Sequence, residues 1–157
     1  MRRKPYGRTI ASPVVGEGMV VAPSAKGKLA VAVKGDAKGD VTKGPESRTL
    51  QGVQVDCPTP TIYDGRIYSV KDDGVGSCFD LKTGKELWKS RMGGERYQAS
   101  PVAGDGKVYF LSLEGKCTVI EAGSKFNVLH ENEIPGVFYS TPAVSDGAIF
   151  LRDRQKV

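Results

Sequence analysis

The chain has 157 residues, which is the usual length of a single domain. Of these, 39% are hydrophobic and 26% charged, so the chain has enough apolar residues to form a core. Its longest uninterrupted apolar run is five residues, at 29–33. A membrane-spanning helix needs roughly 20, so the sequence excludes one. The 20 glycines predict many tight turns and therefore short strands.

The net charge of +5 is concentrated at the two ends of the chain. Arg2, Arg3, Lys4 and Arg8 supply +4 and residues 152–156 supply +2, which leaves residues 9–150 with −1. A nucleic-acid-binding domain carries its basic face on its body, so we expect no nucleic-acid partner. The basic start is followed by residues 5–8, PYGR, where a signal peptide would be apolar, so we predict no signal peptide in this chain.

One pattern occurs four times along the chain. Each copy has Ser/Thr-Pro, a short apolar run, an acidic residue followed by glycine, and a second apolar run. The prolines are Pro13, Pro60, Pro101 and Pro142, spaced by 47, 41 and 41 residues. The acidic-Gly pairs are Glu17-Gly18, Asp64-Gly65, Asp105-Gly106 and Asp146-Gly147. Asp-Gly between apolar runs is a strong hairpin signal, because glycine accepts the positive φ of a tight primed turn.

Each unit continues beyond its first hairpin. A second turn aligns at Lys26-Gly27, Asp73-Gly74 and Glu114-Gly115, and third strands are predicted at 28–33, 76–81 and 117–121. The second unit adds a turn, Asp80-x-x-Thr83-Gly84, and a fourth strand at 86–89 that contains Trp88. The third unit has a weaker version at 121–124, with Leu129 assigned to the position of Trp88. In the first unit the loop at 34–47 is longer and predicts a surface excursion.

Four short antiparallel strands per unit of about 40–45 residues are typical of a β-propeller blade. The sequence therefore predicts an all-β fold, a partial β-propeller of about three and a half blades. The predicted blades are 12–55, 56–97, 98–138 and an incomplete 139–157, after a lead-in at 1–11. Trp88 is expected to lie between neighbouring sheets. A partial propeller leaves sheet faces and strand edges open, which favours association.

No catalytic, cofactor-binding or metal-ligating set is predicted. The cysteines Cys57, Cys78 and Cys117 lack zinc or redox spacing, and their expected state is a buried free thiol. Cys78 and Cys117 are two positions out of register in equivalent strands, which we interpret as opposite faces and no disulfide. His130 is the one histidine, so a site that needs two is excluded. The acidic residues recur at turns, where they are expected to form the turn.

The string Asp80-x-x-Thr83-Gly84-x-x-x-Trp88, with Ser/Thr-Pro and Asp-Gly-x-Ile/Val-Tyr, resembles the repeat of the pyrroloquinoline-quinone-like β-propellers. That superfamily includes the quinoprotein alcohol dehydrogenases and the non-enzymatic outer-membrane-protein assembly factor of bacteria. The resemblance covers residues 9–157, and 56–157 is most similar to the assembly-factor-like propellers. It implies a ring of seven or eight blades. The chain would then be a piece of a longer protein, which we favour, or half of a ring completed by a second copy.

The resemblance implies a non-catalytic scaffold for protein–protein interaction in the bacterial cell envelope, at the periplasm or the periplasmic face of the outer membrane. Its partners would be other proteins, among them outer-membrane assembly components, and it would need no cofactor. The alternative is a fragment of a quinone-dependent alcohol dehydrogenase, with pyrroloquinoline quinone and calcium bound in other blades. The vicinal cysteine pair of those dehydrogenases is absent from the sequence. We predict a structural blade-turn and docking motif, formed by Asp64, Gly65, Asp80, Thr83, Gly84, Trp88, Asp105, Gly106, Asp146 and Gly147.

Overall fold

Short strands joined by glycine-containing turns make up the chain in the computed structural model, which describes residues 10–23, 29–41, 43–53 and 55–154. These residues contain strands, turns and bends and no helix, which confirms the predicted all-β class. The basic residues at 2–8 and the predicted Lys26-Gly27 turn lie outside the described residues, as do the last three residues of the chain.

Three four-stranded antiparallel sheets and one hairpin follow one another along the chain. In each sheet the strands pair in sequence order, so each is a simple meander. Blade 1 comprises β1 (Val14–Gly16), β2 (Met19–Ala22), β3 (Leu29–Lys34) and β4 (Ser47–Gln51). Blade 2 comprises β5 (Thr61–Tyr63), β6 (Arg66–Val70), β7 (Val75–Asp80) and β8 (Glu86–Arg91). Blade 3 comprises β9 (Val102–Gly104), β10 (Lys107–Leu111), β11 (Lys116–Glu121) and β12 (Val128–Glu133), and the terminal hairpin comprises β13 (Ala143–Ser145) and β14 (Ala148–Phe150).

The first turn of each unit has the backbone that its acidic-Gly pair predicts. Asp64 and Gly65 have φ of 48° and 71°, and Asp105 and Gly106 have 50° and 69°. Positive φ at both central residues is the condition of a type I′ turn, whose twist matches that of the flanking strands. Glu17 with Gly18 and Asp146 with Gly147 adopt the same conformation. The four hairpins therefore share one local geometry set by their sequence.

Stacking of the sheets buries their two faces against different neighbours. On β6, Ile67 packs in a cluster with blade 1, whereas the adjacent Tyr68 packs in a cluster with blade 3. On β10, Phe110 faces blade 2 and Leu111 faces the terminal hairpin. The first strands of successive units lie side by side: β1 contacts β5, β5 contacts β9 and β9 contacts β13. Sheets stacked around adjacent inner strands form a partial β-propeller, as predicted.

The structure corrects one predicted register. The sequence predicts Leu129 at the position equivalent to Trp88, but it is His130 that pairs with Val119, as Trp88 pairs with Cys78. The loop between β11 and β12 is one residue longer than the loop between β7 and β8. The closing hydrogen bond shows this: it runs from Glu121 N to Asn127 O in blade 3 and from Asp80 N to Lys85 O in blade 2. Leu129 falls instead at the register shift in β12.

The interpretation that Cys78 and Cys117 face opposite sides of their sheets is wrong. Cys78 packs between blades 2 and 3, and Cys117 packs between blade 3 and the terminal hairpin, so each faces the following unit. Side chains of a strand alternate with a period of two, so an offset of two positions retains the face. Both are buried free thiols in different interfaces, whereas Cys57 is half-buried.

Candidate functional site

The Asp80 turn at the outer end of β7 is organised by side chains. Asp80 Oδ1 accepts hydrogen bonds from Thr83 N and Thr83 Oγ1, each at 2.6 Å. Both bonds stabilise the ionised carboxylate, so the pKa of Asp80 is below its ordinary value. The bond from the Thr83 hydroxyl is the larger cause and the bond from the Thr83 backbone N–H is the next. Gly84 closes the turn with φ of 73° and donates its N–H to Asp80 O at 2.8 Å.

Gly84 also brings this turn into contact with blade 1. A Cβ on Gly84 would lie 2.6 Å from Leu50 Cδ2, and Leu50 is fully buried on β4. Next to the turn, Leu81 N donates to Gly65 O at 2.9 Å, which ties the turn to the first hairpin of its own sheet. The same bond occurs in blade 3, from Ala122 N to Gly106 O. The turn therefore packs against the preceding sheet and is hydrogen-bonded to the first hairpin of its own.

Trp88 makes the contact on the opposite side, with blade 3. Its indole Nε1 donates to Gly123 O at 3.2 Å, and its ring lies 5.1 Å from the ring of Phe126. Tyr68 packs on the same indole at 6.2 Å, and Cys78 Sγ approaches Gly123 O at 3.8 Å. Gly84 thus contacts blade 1 and Trp88 contacts blade 3, so the two residues pack opposite sides of blade 2 against its neighbours.

Burial suppresses ionisation in this interface. Burial raises the pKa of Tyr68 to about 12, with a further contribution from Cys78. It also raises the pKa of the Cys78 thiol to about 12. The Tyr68 hydroxyl has no hydrogen-bond partner of ordinary geometry among the described residues, although the Gly123 backbone and the Cys78 thiol lie close enough to influence its pKa. These two groups stay neutral over the physiological range and act in packing.

The remaining motif residues lie at exposed hairpin tips, and neighbouring tips are linked. Glu17 Oε1 accepts a hydrogen bond from Gly65 N at 2.8 Å, and Tyr63 OH accepts one from Gly106 N at 3.0 Å. Asp64 pairs with Arg66, and Asp105 Oδ2 lies 2.8 Å from Lys107 Nζ. Asp146 and Gly147 form the tip of the terminal hairpin, where Asp146 accepts a bond from Ser145. These tips form a rim separate from the buried Trp88.

A ladder of hydroxyl groups, which sequence reasoning missed, joins the inner ends of the units. Ser12 N donates to Thr59 Oγ1 at 3.0 Å, Thr59 N donates to Ser100 Oγ at 2.9 Å, and Ser100 N donates to Thr141 Oγ1 at 3.0 Å. The hydroxyls of Thr59, Ser100 and Thr141 therefore each accept from the equivalent residue of the preceding unit. The signal was in the sequence, since a hydroxyl precedes proline in all four units.

A cleft of about 590 Å³ lies at the rim opposite the hairpin tips, lined by 93–95, 114–116 and 133–135. Its glutamates include Glu114, whose carboxylate accepts hydrogen bonds from Glu95 N and Arg96 N. Burial opposes ionisation of Glu114, but these backbone donors outweigh it and its pKa is lowered. The cleft thus contains a glutamate already engaged by backbone donors.

The described residues bring no group of metal-ligating side chains together. Calcium takes 6–8 oxygen ligands, among which several carboxylates must converge. No three His, Cys, Asp or Glu side chains come close enough to hold a metal ion within residues 10–154, the gaps at 24–28, 42 and 54 excepted. In the same ranges there is no helix long and apolar enough to cross a bilayer.

Comparison with known proteins identifies the family. The family model described as outer membrane protein assembly factor BamB matches residues 13–124 and 71–157. The chain belongs to this family. A curated relative, outer membrane protein assembly factor BamB of Moranella endobia (strain PCIT), is 27% identical over 160 residues, which cover 94% of this chain and 39% of the relative. The chain therefore spans about two fifths of that relative's length.

Solved structures show the same fold. BamB from Moraxella catarrhalis superposes with a TM-score of 0.69 at 15% identity, over 91% of this chain and 40% of that one. A europium-containing methanol dehydrogenase superposes with a TM-score of 0.57 at 19% identity, over 76% of this chain and 23% of that one. At these identities the likeness concerns the propeller fold alone, which assembly factors and dehydrogenases share.

Proposed function

We propose that this chain is a non-catalytic propeller scaffold that binds other proteins during outer membrane protein assembly, on the periplasmic side of the outer membrane. The family match over residues 13–124 and 71–157 carries this proposal. We further propose that it works without a cofactor. The motif residues support a scaffold role, because Gly84 and Trp88 pack one sheet against its two neighbours and leave the outer strands accessible.

The exposed outer strand β12 is the partner-binding element that we propose. All six of its residues are exposed, including the apolar Val128 and Leu129. It pairs with β11 on one edge, and β12 is the last strand in the order of its sheet. An open edge of this kind can accept a strand of a partner through main-chain hydrogen bonds, with side chains beside it giving specificity.

Binding to purified outer-membrane assembly machinery that lacks its own BamB tests the proposal. We expect saturable binding of the 157-residue chain. Leu129→Asp places a charge on the proposed contact strand β12 and should weaken binding at least about tenfold, a cost of about 1.4 kcal/mol. Lys89→Asp, on the outer strand of blade 2, is the matched control and should bind like the unmodified chain.

Two results would overturn the proposal. One is failure to bind under conditions in which Moraxella catarrhalis BamB, tested in parallel, does bind. The other is stoichiometric binding of pyrroloquinoline quinone with calcium, measured by spectroscopic titration. That result would favour the dehydrogenase hypothesis.

A further inference from the structure

Blade 1 has an apolar face that no described residue covers. Val15 pairs with Val20 in the register in which Ile62 pairs with Ile67 in blade 2. Ile62 and Ile67 pack against blade 1, so Val15 and Val20 lie on the equivalent face, turned away from blade 2. Val15 is 77% exposed. This face has the composition of an interblade interface.

The terminal hairpin has the complementary face. Phe150 pairs with Ala143 in the register in which Tyr68 pairs with Thr61. Tyr68 is fully buried against blade 3, the unit that follows it, whereas Phe150 is 54% exposed. The adjacent Leu151 packs towards blade 3, so Phe150 points to the other side of the hairpin.

The hydroxyl ladder ends in complementary groups. Every internal step joins a backbone N–H to the hydroxyl of the following unit. Among the described residues no hydrogen bond is formed by Ser12 Oγ as acceptor or by Thr141 N as donor. One end of the array thus offers an acceptor and the other a donor, which is the pairing that each internal interface uses.

The two open faces also match in width. On the outer half of blade 1, loop residues 39–41 and 43–44 stand beside β3 and β4 and form with them a cleft of about 540 Å³, lined by residues such as Val31, Val33 and Val41. The loop is fixed there by hydrogen bonds from Ser47 Oγ and Gly44 N to Val41 O. The inner half, β1 and β2, has no such loop and is two strands wide, like the terminal hairpin.

We propose that a second copy of this chain docks head to tail, with the terminal hairpin of one copy packed on β1 and β2 of the other. Phe150 would then contact Val15 and Val20, and Thr141 N would donate to Ser12 Oγ. The contact is heterologous, so two copies close a ring through two identical contacts. A closed pair contains eight units and eight inner strands, four from each copy. This self-association goes beyond the proposed assembly role.

Mass in solution, measured for the 157-residue chain by light scattering and native mass spectrometry, tests the proposal. We expect a dimer that dissociates on dilution. Val15→Glu and Phe150→Glu each place a carboxylate in both contacts of the pair and should each give a monomer. Both side chains are exposed in one copy, so circular dichroism should show that these variants fold.

A mixture of the two variants separates head-to-tail docking from other modes. The Val15→Glu chain retains Phe150 and the Phe150→Glu chain retains Val15, so mixing restores one intact contact and should yield a heterodimer. The control Leu129→Asp lies on β12, outside both faces, and should remain a dimer although the proposed function expects it to lose partner binding. Loss of binding to the assembly machinery and loss of dimer formation are therefore separate results, and either can fail without the other.

Two outcomes would overturn the proposal. A chain that stays monomeric up to about 100 μM, which excludes all but very weak association, would mean that these faces are covered by further blades of a longer protein. Dimers that persist in both single variants, or a mixture that yields no heterodimer, would show that the copies meet through another surface.

Discussion

Gly84 and Gly106 show how two glycines of the same backbone conformation can differ in role. Both have positive φ, of 73° and 69°. A Cβ on Gly106 meets nothing within 4 Å, whereas one on Gly84 would collide with Leu50 of the neighbouring blade. The first glycine is required by its turn alone, and the second by its turn and by an interblade contact.

The pair Gly84→Ala and Gly106→Ala measures the second requirement. Gly106→Ala should lower the free energy of unfolding by about 1–2 kcal/mol, the cost of a left-handed backbone for alanine. Gly84→Ala should cost about 1–3 kcal/mol more, because the added methyl overpacks against Leu50. Urea denaturation of both variants checks this. Equal losses would mean that the turn does not dock on blade 1.

The neutral groups around Trp88 predict alkaline instability. The raised pKa values of Cys78 and Tyr68 mean that the unfolded chain releases these protons at lower pH than the folded chain. Their contribution to stability is complete below about pH 9 and should decline as the pH rises from the ordinary values of 9.0 and 10.0 to about 12. Urea midpoints between these limits measure the decline.

Tyr68→Phe with Cys78→Ala is the matching control, since it removes both ionisable groups and keeps most of the ring packing. The double variant should be less sensitive to pH over this range than the unmodified chain. An unchanged slope would assign the alkaline loss to other groups.

Among the structural elements, the inner strands are joined by hydroxyls rather than by a continuous sheet. Thr59 has two roles in this ladder: its Oγ1 accepts from Ser12 N, and its own N donates to Ser100 Oγ. The proline that follows each Ser or Thr has no N–H to donate. Within each Ser/Thr-Pro pair, the ladder hydrogen bonds are therefore made by the Ser or Thr residue alone. The ladder therefore aligns neighbouring blades at their inner ends.

Thr59→Val removes one acceptor of the ladder and retains shape and backbone. It should lower the free energy of unfolding by about 1 kcal/mol, because Ser12 N loses its partner. Thr49→Val, at an exposed position of β4, is the control and should change stability by less than about 0.5 kcal/mol. If the two variants are equally stable, the hydroxyl bond contributes nothing to blade alignment.

The sequence was sufficient for the elements whose cause is local. Asp105-Gly106 predicts its turn because the positive φ is a property of those two residues. The register of β12 could not be predicted in the same way, because one extra residue in the preceding loop moves His130 into the position of Trp88. The ladder was missed because its partners lie 41–47 residues apart, and only the stacking of units brings them together.

At the scale of the whole molecule, blade 2 differs from the other units because a four-stranded sheet packs on each of its two faces, whereas a two-stranded hairpin follows blade 3. Ile67 and Phe79 are fully buried towards blade 1, and Tyr68 and Cys78 are fully buried towards blade 3. A four-stranded sheet cannot shield both of its faces by itself, so each blade depends on its neighbours, as in other repeat proteins. The stability of the chain should therefore be greatest at its centre.

Amide hydrogen exchange, followed by mass spectrometry, tests this stacking most directly. We expect the slowest exchange in β6 and β7, whose amides open only when the interfaces on both sides are lost. The outer strand β12, exposed along its length, should exchange much faster whether the chain is a monomer or a dimer. Exchange in β6 and β7 as fast as in β12 would contradict the stacked-sheet architecture on which the proposed scaffold role depends.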